Sequence, residues 1–173
     1  MATSREWGEA FLEQAKEDLM AAEAVAGAKD APATLCMLLQ MVFEKVAKAA
    51  FLVRGMQYSQ IRGKGHKAAS DYALIIKRQP RMLATLGGEH WRGWLPVIKE
   101  LEEASPSIAF NGGVQLRAQL EYPWEDPAVG TIRVPARDLP IIHRIKNPVD
   151  RTGPKLMMLA RALVNRFSEM NPA

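Results

Sequence analysis

The sequence predicts a mainly α-helical protein, an up-and-down bundle of four to five helices in a single domain of residues 1–173. Apolar residues recur at three- and four-residue steps over several long stretches, as they do on helices with one buried face. After residue 113 the pattern changes locally to a two-residue period, which indicates a strand. The predicted bundle therefore carries a small β-hairpin or an irregular insertion at about residues 105–149.

The first helix is predicted from Ser4 to about Gly27. Thr3 and Glu6 have the spacing of a capping box, in which each side chain accepts a hydrogen bond from the other residue's amide. The apolar positions that follow share one helical face: Trp7, Phe11, Ala15, Leu19 and Ala22. The break GAKDAP is short, and a short connection between two long helices predicts an antiparallel hairpin.

The second helix, within Ala31–Gly55, is predicted to be the central one. Asp30 is a candidate N-cap, Pro32 suits the first turn, and Gly55 suits the position that closes a helix. The apolar stripe is broad enough to contact several neighbours: Leu35, Leu38, Leu39, Val42, Val46, Ala49 and Val53. Cys36, the single cysteine of the chain, is interpreted as a core residue of this helix.

Shorter helices are predicted in the rest of the chain. Gly63 and Gly65 predict that RGKG forms a loop. The further helices are predicted at about residues 66–79, 81–86 and 95–104, and from about residue 152 onward. The run of Glu100, Glu102 and Glu103 is interpreted as a solvated face of its helix.

The segment between these helices is predicted to contain the strands. Residues 114–122 alternate apolar and polar side chains, which favours a half-buried strand, and a helix over residues 114–121 is the alternative. Residues 127–130 suit a turn, after which Thr131–Val134 can pair back. Three prolines predict irregular structure over residues 135–149, because proline interrupts a helix interior.

Charge is segregated along the chain, although the net charge is only +4. Residues 54–92 hold eight basic and two acidic side chains, and residues 127–173 hold eight and three. Residues 1–30 and 95–126 are acidic in balance. One interpretation is that acidic and basic segments neutralise each other across the fold. The other is a single basic surface that faces phosphates.

Composition also limits location and cofactors. The longest apolar run is too short to span a bilayer, and the amphipathic N-terminal segment lacks a signal-peptide core. We expect no association with a membrane. We expect a cytoplasmic location. The three histidines and the single cysteine fall in no two-ligand spacing, so neither a metal site nor a cofactor is expected.

The stretch RGKGHK is the candidate nucleotide- or RNA-binding segment, through Arg62, Lys64, His66 and Lys67. Amides at the start of the following helix can bind an anion. The alternative is a plain basic surface loop. Four aromatic residues can stack nucleobases, but they are interpreted as core or interface anchors: Trp91, Trp94, Tyr122 and Trp124.

Three stretches carry a family resemblance: AKEDLMAAEA in the first helix, LLQMVFEKVAKAAFLVRG in the second, and GHKAASDYALI in the third. They resemble the HEPN domains, helical modules named for their occurrence in higher eukaryotes and prokaryotes and for nucleotide binding. Glu44, Lys45, Lys48 and Gly55 match the family's second helix, and His66 matches a histidine that opens the third. The resemblance covers about residues 10–78, and Glu44 to Lys48 is also a stabilising pair in any helix.

The resemblance implies a bundle that frequently forms homodimers, often beside a nucleotidyltransferase-type partner protein in toxin–antitoxin pairs. Many members are metal-independent ribonucleases with an arginine and a histidine separated by four to six residues. The histidine acts as acid or base on the ribose 2′-hydroxyl, and the arginine stabilises the phosphorane charge. Arg137 and His143 match this spacing, but Pro140 between them departs from the helix that carries the family's pair.

The leading hypothesis is therefore a HEPN-like nucleotide- or RNA-associated module, homodimeric and without intact nuclease chemistry. A second hypothesis is an active metal-independent ribonuclease of a toxin–antitoxin or defence system, with Arg137 and His143 as its catalytic residues. A third is a non-catalytic helical scaffold.

Overall fold

A computed structural model describes residues 2–28, 31–64, 67–105, 110–111, 114–115, 118–126, 128–147 and 149–172. Over these residues the protein is mainly helical, as the sequence predicts, with two small antiparallel sheets. The helices within the described ranges are α1 (Ser4–Ala28), α2 (Pro32–Val53), α3 (Tyr58–Lys64), α4 (Ala68–Arg78), α5 (Pro80–Leu86), α6 (Leu95–Glu103), α7 (Pro135–Asp138), α8 (Pro140–Lys146), α9 (Thr152–Asn165) and α10 (Phe167–Met170). A 3-10 helix covers Glu89–Gly93. The strands are β1 (Phe110–Asn111), β2 (Val114–Gln115), β3 (Trp124–Asp126) and β4 (Thr131–Arg133).

Helix α1 begins with the predicted capping box. The Thr3 amide donates to the Glu6 carboxylate at 2.6 Å, and the Glu6 amide donates to the Thr3 hydroxyl at 3.2 Å. These bonds lower the pKa of Glu6, with the Thr3 amide as the main cause. Two amides at the start of the helix are thereby satisfied, as the sequence predicts.

Helix α2 is the central element, and more than half of its residues are buried. Pro32 lies in its first turn as predicted, while Ala31 is the N-cap and makes no side-chain cap bond. The predicted cap Asp30 lies outside the described residues. At the other end Gly55 adopts φ +92°, the Gly55 amide donates to the Leu52 carbonyl, and the Met56 amide donates to the Phe51 carbonyl. This pair of bonds is a Schellman motif, which confirms the predicted role of Gly55.

Helices α1 and α2 form the predicted antiparallel hairpin. Gly8, near the start of α1, lies against Val53 at the end of α2, and Asp18 forms an ion pair with Lys45 midway along. The helices approach so closely at Gly8 that a Cβ built there meets Val53 Cγ1 at 2.9 Å. A residue without a side chain at this position allows that approach.

The other helices pack around this hairpin into one continuous core. Helices α4, α6, α8 and α9 contact α2, and α9 also contacts α1. Helix α4 buries one face in this core, which includes Ala69, Tyr72, Ala73 and Ile76. Cys36 is fully buried, as predicted. Tertiary packing thus turns several amphipathic helices into one bundle.

The prediction that RGKG forms a loop is wrong for Arg62, Gly63 and Lys64, which belong to α3. Ile61 anchors this helix, because its side chain is almost completely buried in the core. A glycine in the last turn of a short helix costs only about 1 kcal/mol relative to alanine, which burial of one isoleucine can offset.

The prediction of irregular structure over residues 135–149 is also wrong, since α7 and α8 occupy most of it. Pro135 and Pro140 lie in the first turns of these helices. Proline is favoured there, because the first amides of a helix need no partner within it and the fixed φ suits the helix. The Asp138 carboxylate accepts a hydrogen bond from the Val134 amide at 2.6 Å and so closes the first turn of α7.

The insertion contains strands, but their pairing differs from the prediction. Strand β4 pairs with β3 around the predicted turn, with Trp124 opposite Arg133, and not with residues 114–122. Of the described residues in the predicted long strand, only Val114–Gln115 form a strand, and this strand pairs with Phe110–Asn111. Leu120 is buried as predicted, whereas Gln119 is buried and Tyr122 is exposed, both against the predicted alternation.

Candidate nucleic-acid interface

Arg137 and His143, the predicted catalytic residues, lie on two different short helices. Arg137 is on α7, where its guanidinium donates three hydrogen bonds of 3.0–3.2 Å to the Asp138 carboxylate. These bonds raise the pKa of Arg137 and lower that of Asp138. His143 is exposed on α8. The guanidinium is thus engaged by a neighbouring carboxylate, whereas transition-state stabilisation requires donors directed at the substrate.

A shared cleft is the other requirement for a catalytic pair. Five cavities among the described residues are lined by residues from several helices and from the segments next to strands β3 and β4. Neither Arg137 nor His143 lines any of the five. Residues on either side of them do, such as Ala136 in one cavity and Ile141 in another. The two predicted catalytic side chains are therefore not brought together in any of these cavities.

The predicted basic segment is only partly described. Arg62 is exposed on α3, and Lys67 is exposed at the N-cap of α4. His66 and the side chain of Lys64 lie outside the described residues. Neither Arg62 nor Lys67 makes an ion pair with a carboxylate among the described residues, so both remain candidate phosphate-binding side chains.

The amides at the start of α4, the predicted anion site, already have a partner within the protein. The Glu102 carboxylate, from α6, accepts hydrogen bonds from the Ala69 amide at 2.9 Å and the Ser70 amide at 3.1 Å. Glu102 is only 3% exposed, so its predicted place on a solvated face is wrong. The carboxylate fills the position at the helix N-terminus that an external anion would need.

The basic segments differ in how far they are neutralised. In the C-terminal segment, Arg144 pairs with Glu100 at 2.6 Å and Arg161 pairs with Glu23, so acidic and basic segments do meet across the fold there. In residues 54–92, Arg92 is the single basic side chain of the described set that pairs with a carboxylate, and its partner Glu89 is a near neighbour. The structure therefore supports the neutralisation interpretation for one basic segment and not for the other.

Four of the unneutralised cations in residues 54–92 lie on α3, on α4 or at the N-cap of α4. We define the α3–α4 basic surface as Arg62, Lys67, Lys77 and Arg78, all exposed. None of the four forms an ion pair within the part of the chain that the structure describes. Lys67 is the N-cap of α4 and Lys77 lies in its last turn. At a rise of 1.5 Å per residue, the two positions are about 15 Å apart along the helix axis.

The residues that carry the family resemblance lie inside the helical hairpin. Glu44 accepts hydrogen bonds from Gln40 at 2.9 Å and from Lys48 at 2.6 Å. Lys45 pairs with Asp18 of α1. All of these polar groups are buried or half-buried, so they satisfy each other's hydrogen-bonding requirements and hold α1 and α2 in register.

The predicted aromatic residues divide between core and surface. Trp91 and Trp124 are buried in the core, as predicted, while Tyr122 is exposed. One aromatic pair has no signal in the sequence, because the exposed Trp7 of α1 and the half-buried Tyr58 of α3 are distant along the chain. Their rings stack with centroids 4.1 Å apart.

Two general findings concern metals and membranes. Within the described ranges, no group of three or more histidine, cysteine, aspartate or glutamate side chains is arranged to hold a metal ion. None of the helices in those ranges has the length and apolar character needed to cross a membrane.

Comparison with known proteins gives no relative for this chain. No protein-family model matches it, no curated protein matches it, and no solved structure matches it. The function is therefore inferred from the residues of this chain.

Proposed function

We propose that this chain is a HEPN-like helical module that associates with RNA or nucleotides through the α3–α4 basic surface, without nuclease chemistry. On this proposal it acts as a homodimer beside a nucleotidyltransferase-type partner protein. The observation that carries the proposal is the set of four exposed cations that no carboxylate of the described residues neutralises.

Unpaired cations on adjoining helices favour a polyanionic ligand. Phosphates attract such side chains, and binding releases the counterions condensed on the nucleic acid. Lys77 and Arg78 also complement the dipole at the C-terminal end of α4, which gives them a role in helix stability. Lys67 lies at the N-cap of α4, where a cation does not complement the helix dipole, and Arg62 lies on the short helix α3. We therefore test the surface at Arg62 and Lys67, which leaves the C-terminal end of α4 unchanged.

We infer the absence of nuclease chemistry from the hydrogen bonds that Arg137 makes to Asp138. The Nε and Nη2 groups of Arg137 donate to Asp138, so this side of the guanidinium is directed at a carboxylate of the protein and not at a substrate. We expect RNA to remain intact when it is incubated with the protein. RNA cleavage by the wild type that is lost in His143→Ala would instead establish the ribonuclease hypothesis.

The test of RNA binding uses its dependence on salt. Binding of a fluorescent single-stranded RNA is measured by anisotropy for the wild type and for the double variant Arg62→Gln/Lys67→Gln. Each lost phosphate contact lowers the slope of log K against log salt by about 0.7 for single strands, so we expect a slope smaller by about 1.4.

A matched control removes two charges elsewhere. Lys16→Gln/Lys155→Gln changes α1 and α9, where neither lysine forms an ion pair with a described residue, and we expect it to keep the wild-type slope. Equal slopes for both double variants would exclude the α3–α4 basic surface as the binding site. Lack of any binding at low salt would exclude RNA as the ligand.

A further inference from the structure

A cavity of about 300 Å³ lies where the end of α2 meets α5 and α10. We call it the arginine pocket. Its lining residues are Arg54, Gln79, Arg81, Met82, Thr85, Glu169, Met170, Asn171 and Pro172. Three separate segments of the chain contribute to it, so this combination of side chains has no signal in local sequence. Its volume is at the lower end of the range for small-molecule sites.

The Arg54 side chain is held in one position at the pocket wall. Its Nε donates to the Asn171 side-chain oxygen at 3.0 Å, and its Nη2 donates to the Met170 carbonyl at 3.3 Å. The guanidinium also lies over the Tyr72 ring, 5.9 Å from the centroid. Nη1 has no hydrogen-bond partner among the described residues. The arginine is therefore fixed while some of its donors remain available, as a preorganised anion site requires.

Asn171 is the residue that fixes Arg54, and it is itself fully bonded. Its side-chain nitrogen donates to the Phe167 carbonyl and to the Tyr72 hydroxyl, each at 2.9 Å. Both Asn171 and Tyr72 are buried. Burial raises the pKa of Tyr72, so its hydroxyl stays protonated. A satisfied buried network of this kind holds its members rigidly.

The charge of the pocket is positive. Arg54 and Arg81 face a single carboxylate, that of Glu169. Arg81 is exposed and makes no hydrogen bond or ion pair with a described residue. Arg166 lies beside the pocket, where its Nη1 donates to the Thr85 carbonyl at 2.6 Å. A cavity with excess guanidinium attracts an anion, and planar guanidinium groups match the oxygens of a phosphate.

We propose that the arginine pocket binds a small organic phosphomonoester, with Arg54 and Arg81 on the phosphate. The Thr85 hydroxyl and the Gln79 amide supply further polar contacts. Met82, Met170 and Pro172 provide an apolar side against which the organic part packs. None of the pocket residues belongs to the α3–α4 basic surface, so this site stands independently of the proposed RNA interface.

The test is a calorimetric titration of the whole chain with AMP, with adenosine and with inorganic phosphate. We expect AMP to bind, adenosine to show no measurable binding, and phosphate to bind more weakly than AMP. Arg81→Ala should weaken AMP binding about tenfold or more, because charge-assisted hydrogen bonds are lost. Since Arg81 has no polar partner among the described residues, this variant is expected to fold normally.

Arg5→Ala is the matched control, because it removes an exposed arginine of α1 that lines neither the arginine pocket nor the α3–α4 basic surface. We expect it to bind AMP as the wild type does. Arg54→Lys keeps the charge but not the planar fork, and it should also lose affinity for AMP, with a small decrease in melting temperature because the bond from Arg54 Nε to Asn171 is lost. No binding of AMP would overturn the proposal, and so would equal affinity in Arg81→Ala and the wild type.

Discussion

At the scale of single residues, the buried carboxylate of Glu102 caps α4 from a neighbouring helix. Burial raises its pKa above the ordinary value of 4.5, and the charge of Asp71 adds to this. The hydrogen bonds from Ser70 and Ala69 act in the opposite direction and offset only part of the effect. A carboxyl group with a raised folded-state pKa binds protons more tightly in the folded chain than in the unfolded chain.

Glu102 therefore makes stability depend on pH in a definite direction. As the pH rises through the interval between 4.5 and the raised pKa, the folded state loses stability from this group. Glu102→Gln keeps an acceptor for the amides of α4 but does not titrate. We expect the free energy of unfolding of the variant, relative to the wild type, to increase with pH across this interval. Urea unfolding at several pH values measures it, and a constant difference would contradict the expectation.

Cys36 gives a second residue-scale prediction. Burial, with a smaller contribution from the Glu100 charge, raises the pKa of the thiol to about 12. The reactive thiolate is therefore scarce at neutral pH, and the side chain is inaccessible. We expect a disulfide reagent such as DTNB to label no cysteine in the native protein and one cysteine per chain in guanidinium. Rapid labelling of the native protein would contradict this.

These two residues show what a sequence can reveal about single positions. Cys36 occupies an apolar step of an amphipathic helix, and helical periodicity alone predicts its burial. The partners of Glu102 are amides more than 30 positions away, and nothing in its own stretch distinguishes it from Glu100 or Glu103. Burial of a charged side chain depends on which distant group it meets.

At the scale of elements, the contact between α1 and α2 depends on Gly8. A Cβ at this position meets Val53 Cγ1 at 2.9 Å and the Ala49 carbonyl oxygen at 3.3 Å. Overpacking costs roughly 1–3 kcal/mol, while replacing a helical glycine by alanine gains about 1 kcal/mol. We expect Gly8→Ala to lower the free energy of unfolding by about 1 kcal/mol net, measured by urea denaturation.

Gly27 is the matched control on the same helix. A Cβ there has no atom within 4 Å. We expect Gly27→Ala to leave the free energy of unfolding unchanged or to raise it by up to about 1 kcal/mol. If both variants were stabilised alike, the close approach at Gly8 would not be a constraint on the hairpin.

The ends of helices were predictable where a local rule applies. The Thr3–Glu6 capping box and the Gly55 termination each involve residues within one turn, so the sequence contains all of the interacting groups. The prolines of residues 135–149 illustrate the limit of such rules. Proline excludes a helix interior and favours a first turn, and tertiary packing of Ile141 and Ile142 decides between the two.

At the scale of the whole molecule, the proposed homodimer is directly testable. Sedimentation velocity at micromolar concentration should show a species of twice the monomer mass of 19.2 kDa. This expectation comes from the family resemblance, which implies that such domains frequently form homodimers. A single species near 19.2 kDa over the whole concentration series would contradict the homodimer.

The bundle was predictable as a whole, and the arrangement of charge was not. Helical periodicity identified the hairpin and the helices α4, α6 and α9 that pack on it, because burial of an apolar face is encoded locally. It did not identify α8, which also contacts α2. Whether a basic residue pairs with a carboxylate depends on its neighbours in three dimensions. Arg144 pairs with Glu100, whereas Arg62 forms no ion pair with a described residue. The arginine pocket is a stronger case, since Arg54 and Asn171 meet across a separation of 117 residues.

That long separation also has a kinetic consequence. The α1–α2 hairpin joins neighbouring segments, so its contacts form with little loss of chain entropy, whereas the bonds of Asn171 to Arg54 and Tyr72 close loops of more than 90 residues. Contacts of this kind typically form after the folding transition state. We expect Asn171→Ala to accelerate unfolding while leaving the refolding rate almost unchanged, as stopped-flow measurements can show. The network around Asn171 would then set how long the molecule stays folded and not how fast it folds.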